Sequence, residues 1–101
     1  MAGEWFLYLI RTRDDTLYTG IATDVNRRLA EHEAGGARGS KYLRPRMPLA
    51  LVYSTKIGSH TLALRAEARI KRLPKLRKEE IAAQRPGVTE LLEMLAMREE
   101  Q

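Results

Sequence analysis

A chain of 101 residues is long enough for one domain with one core, and its lack of cysteine excludes disulfides, thiolate zinc sites and a thiol nucleophile. The formal charge of +5 is unevenly spread, because residues 34–78 contain twelve Lys or Arg and a single acid, Glu67. This asymmetry favours a polyanionic partner, nucleic acid first and an anionic membrane second. A basic surface without any partner would have the same composition.

From the residues present we expect neither an export signal nor a membrane span. No apolar run approaches the roughly 18 residues that a membrane span needs. The first residues also lack the basic, apolar and small-residue layout of a secretion signal. We therefore expect a cytoplasmic protein that does not enter a membrane.

The first two predicted elements are the strands of a hairpin. Residues 5–10 are apolar at every position, which predicts a central strand covered on both faces. Turn-forming residues at 13–16 precede a second strand over 17–21. A three-residue loop at 13–15 would pair Tyr8 with Gly20 and place Tyr8 and Tyr18 on the same face of the sheet.

A helix follows the hairpin, with Thr23 or Asp24 as its N-cap and its end at residues 35–36, both glycine. Arg28 and His32 are four residues apart and therefore share one face of this helix. They lie beside the apolar stripe of the helix, although charged side chains on a surface helix normally point away from the core. This placement indicates a cleft.

The rest of the chain predicts an α+β domain over residues 1–101. A loop covers 37–47, with a helical turn at 40–44, and Pro48 opens a third strand over 49–54. Helices are predicted over 60–73 and 76–84, separated by Pro74, and a last helix capped by Thr89 over 89–100. The apolar face of the last helix could pack on the core or contact a protein partner; it consists of Leu91, Leu92, Leu95 and Met97.

Several polar residues have both an ordinary and a functional interpretation. Glu67 flanks the buried face of its helix, where it could pair with Lys71 or bind a hard divalent cation such as Mg²⁺. His32 could be a core or surface histidine, and Tyr8 and Tyr18 could be ordinary strand residues. Two histidines without cysteine do not make a structural zinc site.

The order of these residues resembles a known family. Phe-Leu-Tyr at 6–8 and Tyr-Thr-Gly at 18–20, followed by Arg28, His32 and Glu67, resemble the motifs of the GIY-YIG nuclease superfamily. The closest resemblance is to its small stand-alone bacterial members, the YhbQ-like group. It covers residues 4–82 and leaves only the last helix outside.

The resemblance implies a three-stranded antiparallel sheet flanked by helices and a phosphodiesterase site that uses Mg²⁺ or Mn²⁺. Glu67 would hold the metal, and Arg28 would bind the scissile phosphate and stabilise charge in the transition state. Tyr18 would be the general base or would position the water. Tyr8 and His32 would orient the nucleophile and the phosphate, with His32 also a candidate proton relay.

The sequence departs from the family pattern near the site. Ile21 stands where some members have a lysine, and the late asparagine of the family has no counterpart in this sequence. Either the activity is reduced, or a different residue completes the site, the candidates being Ser40, Lys41 and Lys71.

We expect a metal-dependent DNA endonuclease or a related structure-specific nuclease, with branched or nicked DNA as candidate substrates. The alternative is a non-catalytic nucleic-acid-binding module of the same fold. The chain has no room for a separate DNA-binding domain, so targeting would come from its own basic surface, a homodimer or a partner protein. The residues expected to contact nucleic acid are Arg27, Ser40, Lys41, Arg44, Arg46, Lys71 and Arg72.

Overall fold

The protein is represented by a computed structural model that describes residues 3–97. Three strands form one antiparallel sheet in the order β2-β1-β3. The central position of β1 is the one that its unbroken apolar run predicts. The strands are β1 (Trp5–Arg11), β2 (Leu17–Ala22) and β3 (Ala50–Gly58).

The described residues also form four α-helices and one 3₁₀ turn, which confirms the predicted α+β fold with helices flanking the sheet. In this part of the chain, no helix has the length and apolar character needed to cross a membrane. The helical elements are α1 (Val25–Ala34), the 3₁₀ turn (Arg44–Arg46), α2 (His60–Lys71), α3 (Lys75–Gln84) and α4 (Val88–Met94).

The predicted hairpin register is confirmed, with Tyr8 directly opposite Gly20. The Thr12 N–H donates to the Thr16 carbonyl at 3.0 Å and closes the three-residue loop. A Cβ atom on Gly20 would lie only 2.3 Å from Cζ and the hydroxyl oxygen of Tyr8. Glycine is therefore required here so that the tyrosine ring can cross the neighbouring strand.

The sheet separates two apolar clusters of different size. We call the larger one the helical core, since α2, α3 and α4 contribute to it; its buried members are Leu7, Leu9, Tyr53, Ile57, Leu62, Ala63, Ala66, Ile70, Ile81, Leu91, Leu92, Leu95 and Met97. We call the smaller one the site-side cluster, which α1 covers through Val25 and Leu29; its buried members are Tyr8, Ile10, Ala22 and Leu43.

Two boundaries near the middle of the chain differ from the predicted ones. The third strand begins at Ala50 rather than at residue 49, and it continues to Gly58 rather than ending at 54. Residues 54–56 lack an apolar strand pattern, but they pair with β1 and are held in the sheet by those backbone bonds. A turn is present within the predicted 40–44 segment, where the Leu43 N–H donates to the Ser40 carbonyl at 3.2 Å, and the 3₁₀ turn then continues it to Arg46.

The N-cap residues of two helices decide between the two predicted caps of α1 and correct the predicted cap of α4. The side chain of Asp24, rather than Thr23, caps α1 by accepting from the Arg27 N–H at 3.0 Å. Helix α4 has Gly87 at its N-cap, so the predicted Thr89 cap is wrong. The helix ends at Met94, which is earlier than predicted, and residues 98–100 lie outside the described part. Leu91 and Leu92 of this helix, with Leu95 and Met97 just after it, belong to the helical core, whereas Met94 is exposed.

Candidate active site

Four of the five predicted catalytic side chains meet on the side of the sheet covered by α1. Tyr8 and Tyr18 come from β1 and β2, and Arg28 and His32 from the facing side of α1. The Tyr8 hydroxyl lies 3.1 Å from Nε2 of His32. The Tyr18 ring meets the His32 ring edge-on, with centroids 5.6 Å apart. The spacing of Arg28 and His32 therefore brings both to the tyrosines.

His32 is fully buried, and both of its ring nitrogens have hydrogen-bonding partners. The backbone N–H of Ser40 donates to Nδ1 at 3.1 Å, so Nδ1 is the acceptor. In a neutral imidazole the proton is then on Nε2, which donates to the Tyr8 hydroxyl. This leaves the hydroxyl proton of Tyr8 available for a further acceptor.

Burial keeps both partners of this hydrogen bond neutral. Desolvation lowers the pKa of His32, and the positive charge of Arg28 lowers it further. Burial, and to a smaller extent Tyr18, raise the pKa of Tyr8 to about 12 against the opposing effect of Arg28. The pair therefore provides a fixed hydroxyl donor next to a guanidinium.

Arg28 is held by two acceptors on one side of its guanidinium. Its Nη1 donates to Oε1 of Glu31 at 3.0 Å and to the backbone carbonyl of Arg38. The side chain is about one third exposed and lines a cavity of about 300 Å³, together with Trp5 and Ile21. Arg28 also makes a side-chain hydrogen bond with Tyr8, and the guanidinium donors that these contacts leave over remain for an anion in that cavity.

Glu67 approaches the site from α2 and is mostly buried, with 19% of its side chain exposed. Its carboxylate pairs with Nζ of Lys71 at 3.4 Å, so the predicted ion pair is present. The carboxylate is also near enough to Tyr8 for its negative charge to add to the effect of burial on the Tyr8 pKa. The structure contains the ion pair, and the role of Glu67 as a metal ligand stays a prediction.

The donor set around Glu67 fits only certain ions. Among residues 3–97, no group of three or more His, Asp or Glu side chains could hold a metal. Mg²⁺ and Mn²⁺ accept one carboxylate together with water and phosphate oxygens, whereas zinc and calcium sites use more protein ligands. The arrangement fits an ion that binds together with a phosphate substrate.

The predicted nucleic-acid contacts are divided between loop-stabilising and exposed residues. Arg44 donates to the Gly36 carbonyl at 3.0 Å, and Arg46 donates to the Tyr42 carbonyl at 2.6 Å. Lys41 and Arg72 are exposed on the surface. Arg44 and Arg46 therefore stabilise the segment between α1 and β3 through these bonds.

Two further predicted contacts lie on or beside the site itself. Arg27 is exposed and pairs with Glu31 at 3.6 Å, while Ser40 reaches the site through its backbone N–H. Ile21 lines the cavity next to Arg28. Sequence analysis missed Tyr42, whose ring stacks on Tyr18. The position of this aromatic residue between Lys41 and Arg44 was the sequence feature that could have indicated a role for it.

The fold and this cluster define the class of protein. Residues 4–80 match the model of the GIY-YIG catalytic domain. The chain therefore belongs to the GIY-YIG family of nuclease domains, and the sequence resemblance is confirmed.

Individual relatives place the chain among small members of this family. It is 53% identical over 91 residues to the UPF0213 protein YhbQ of Escherichia coli strain K12, covering 90% of this chain and 89% of that protein. The solution NMR structure of the UPF0213 protein BH0048 from Bacillus halodurans matches with a TM-score of 0.53 and 33% identity, over 94% of this chain and 99% of that one. EF2693 from E. faecalis matches with a TM-score of 0.57 and 28% identity, over 82% and 86% of the two chains.

Proposed function

We propose that this protein is a divalent-metal-dependent endonuclease that hydrolyses phosphodiester bonds in DNA. The observation that carries the proposal is the convergence of Tyr8, Tyr18, Arg28 and His32, with Glu67 within electrostatic reach of Tyr8. The family implies a DNA substrate and generally uses divalent metals. The strongly basic segment at 34–78 supports a polyanionic substrate.

Arg28 is the proposed phosphate-binding residue. Its guanidinium is held by Glu31 and Tyr8 and borders the cavity, so its remaining donors can contact the scissile phosphate without a search among rotamers. In the transition state, negative charge builds up on the phosphate oxygens next to this fixed cation. Arg28 would then stabilise the transition state more than the ground state.

The tyrosines and His32 are proposed to arrange the nucleophile. Tyr8 remains protonated and accepts from His32, so its own proton can bond a phosphate oxygen or the attacking water. Tyr18 is the proposed general base or water-positioning group, and its ring lies against His32. His32 holds Tyr8 in position, because the Ser40 N–H occupies the nitrogen through which a proton relay would continue.

Glu67 is the proposed metal ligand, and Mg²⁺ or Mn²⁺ the proposed ion. The chemistry supplied by such an ion is neutralisation of phosphate charge and activation of water. Lys71 would give up or share its contact with Glu67 when the ion binds. The exposed cations Lys41 and Arg72 would contribute salt-dependent contacts to the DNA backbone.

The test is cleavage of labelled branched, nicked and single-stranded DNA by the wild type and by Glu67→Gln, with Mg²⁺ or Mn²⁺ and with EDTA. We expect metal-dependent products from the wild type and a loss of about 100-fold or more in the variant, with binding retained. Glu80→Gln is the matched control, because Glu80 forms a surface pair with Arg77 on α3, at 3.7 Å.

Two results would contradict the proposal. Equal loss of folding and cleavage in Glu67→Gln would give Glu67 a structural role. Binding without cleavage of any substrate by the wild type would instead favour a non-catalytic nucleic-acid-binding module. Whether it cleaves or only binds, the proposed single domain would find its nucleic-acid target through its basic surface, a second copy or a protein partner.

A further inference from the structure

Tyr42 is exposed, yet its ring makes two specific contacts beside the site. It stacks on Tyr18 with ring centroids 6.0 Å apart and 22° between the planes. The guanidinium carbon of Arg46 lies 3.8 Å from the centroid of the Tyr42 ring. An exposed aromatic residue without a role in the core is therefore fixed against a site residue.

Further bonds connect this stack to the β1–β2 turn that leads into Tyr18. Nε of Arg46 donates to Oδ2 of Asp14 at 3.3 Å, and its Nη1 donates to the carbonyl of Tyr42. The Tyr42 hydroxyl lies 3.3 Å from the Thr16 hydroxyl. Asp14 and Thr16 belong to the turn that leads into β2, the strand that carries Tyr18. The segment that contains Tyr42 and Arg46 is therefore bonded at several points to the start of this strand.

Tyr18 has a second aromatic neighbour, His32, which meets its ring at 76°. The half-buried Tyr18 ring is thus bounded by a rigid, fully buried imidazole and by Tyr42. We propose that Tyr42, supported by Arg46, is a positioning residue that keeps the Tyr18 ring in one orientation relative to Tyr8 and Arg28. The proposal rests on the role given to Tyr18 in the proposed function.

The test compares Tyr42→Leu with Tyr42→Phe by two independent measurements. Steady-state cleavage separates kcat from KM, and NMR of labelled tyrosine follows the ring signals of Tyr18 and their pH titration. For Tyr42→Leu we expect kcat to fall about tenfold with KM changed by less than about twofold, and the Tyr18 signals to shift. Tyr42→Phe keeps the ring and should restore most of kcat and the Tyr18 signals.

Lys41→Leu is the matched control, because Lys41 is exposed and adjacent to Tyr42 in the chain. It should weaken binding in a salt-dependent way and leave the Tyr18 signals unchanged. A Tyr42→Leu variant that raises KM at constant kcat would overturn the proposal and make Tyr42 a substrate contact. Unchanged Tyr18 signals would overturn it as well.

A second variant covers the case in which Tyr42→Leu does not fold. Arg46→Met removes the cation over the ring and the bond to Asp14 but leaves Tyr42 in place. It should shift the Tyr18 signals and lower kcat about threefold; Tyr18 signals identical to those of the wild type would overturn the proposal. If the wild type cleaves no substrate, the proposed function fails, while the Tyr18 signals still decide whether Tyr42 positions this ring.

Discussion

The two faces of the sheet differ in what they bury. The helical core has thirteen buried members, and the Tyr53 hydroxyl among them donates to the Pro86 carbonyl at 2.6 Å. The site-side cluster has four, next to the buried imidazole of His32 and to Arg28, whose side chain is about one third exposed. One face therefore supplies most of the hydrophobic stabilisation, while the other depends on hydrogen bonds and close packing to hold polar groups.

The largest effect on stability is expected in the helical core. Leu91 is fully buried on α4, so Leu91→Ala should lower the free energy of unfolding by about 2–5 kcal/mol through lost burial and a cavity. Urea unfolding measures this change. Cleavage per folded molecule should remain at the wild-type value, and a proportional loss of activity in fully folded protein would show that the two faces are coupled.

Gly20→Ala acts on the site face, so it should affect cleavage more than stability, the opposite of Leu91→Ala. The new methyl group would overlap the Tyr8 hydroxyl, so the tyrosine must leave its contact with His32. We expect a loss of about 1–3 kcal/mol in stability and of about 100-fold in cleavage. Gly87→Ala is the control, since a Cβ there meets open space. Unchanged cleavage by Gly20→Ala would show that the Tyr8 position does not matter.

Gly39→Val tests the loop that fixes the histidine. A Cβ on Gly39 would lie 3.0 Å from the Glu31 carbonyl, which pushes the loop away from α1 and pulls the Ser40 N–H from His32. The expected losses are about 1 kcal/mol in stability and about tenfold in cleavage. Nitrogen NMR of His32 reports the tautomer directly. Gly36→Val, where a Cβ meets nothing within 4 Å, should resemble the wild type in both respects.

The smallest effect is a pH dependence of stability that belongs to the site face. Because burial lowers the His32 pKa below the usual 6.5, the unfolded chain binds a proton more readily than the folded one. This contribution to stability is complete above pH 6.5 and is lost as the pH falls through the lowered pKa. Thermal unfolding across this range should show the decline in the wild type and in His60→Gln, where the exposed histidine is replaced. His32→Gln should lack it, and a decline of the same size in that variant would contradict the assignment.

The candidate site shows how far sequence reasoning reaches. The spacing of Arg28 and His32 on one helix face and the pairing of Tyr8 with Gly20 follow from local periodicity, and the structure confirms this placement. The support that Ser40 gives to His32 could not be read in the same way, because its donor is a backbone N–H that every residue but proline carries. The hydrogen bond between Arg46 and Asp14 could not be predicted either, because the two residues are distant in the sequence.

The sequence by itself determined the three strands, the order of the helices and the family, because each depends on periodicity, turn residues and motif order along the chain. Only the tertiary structure decided which nitrogen of His32 accepts, where β3 ends, and that Tyr42 stacks on Tyr18. These features depend on distances between segments far apart in the chain. Such distances are set by the packing of the whole molecule rather than by any local pattern.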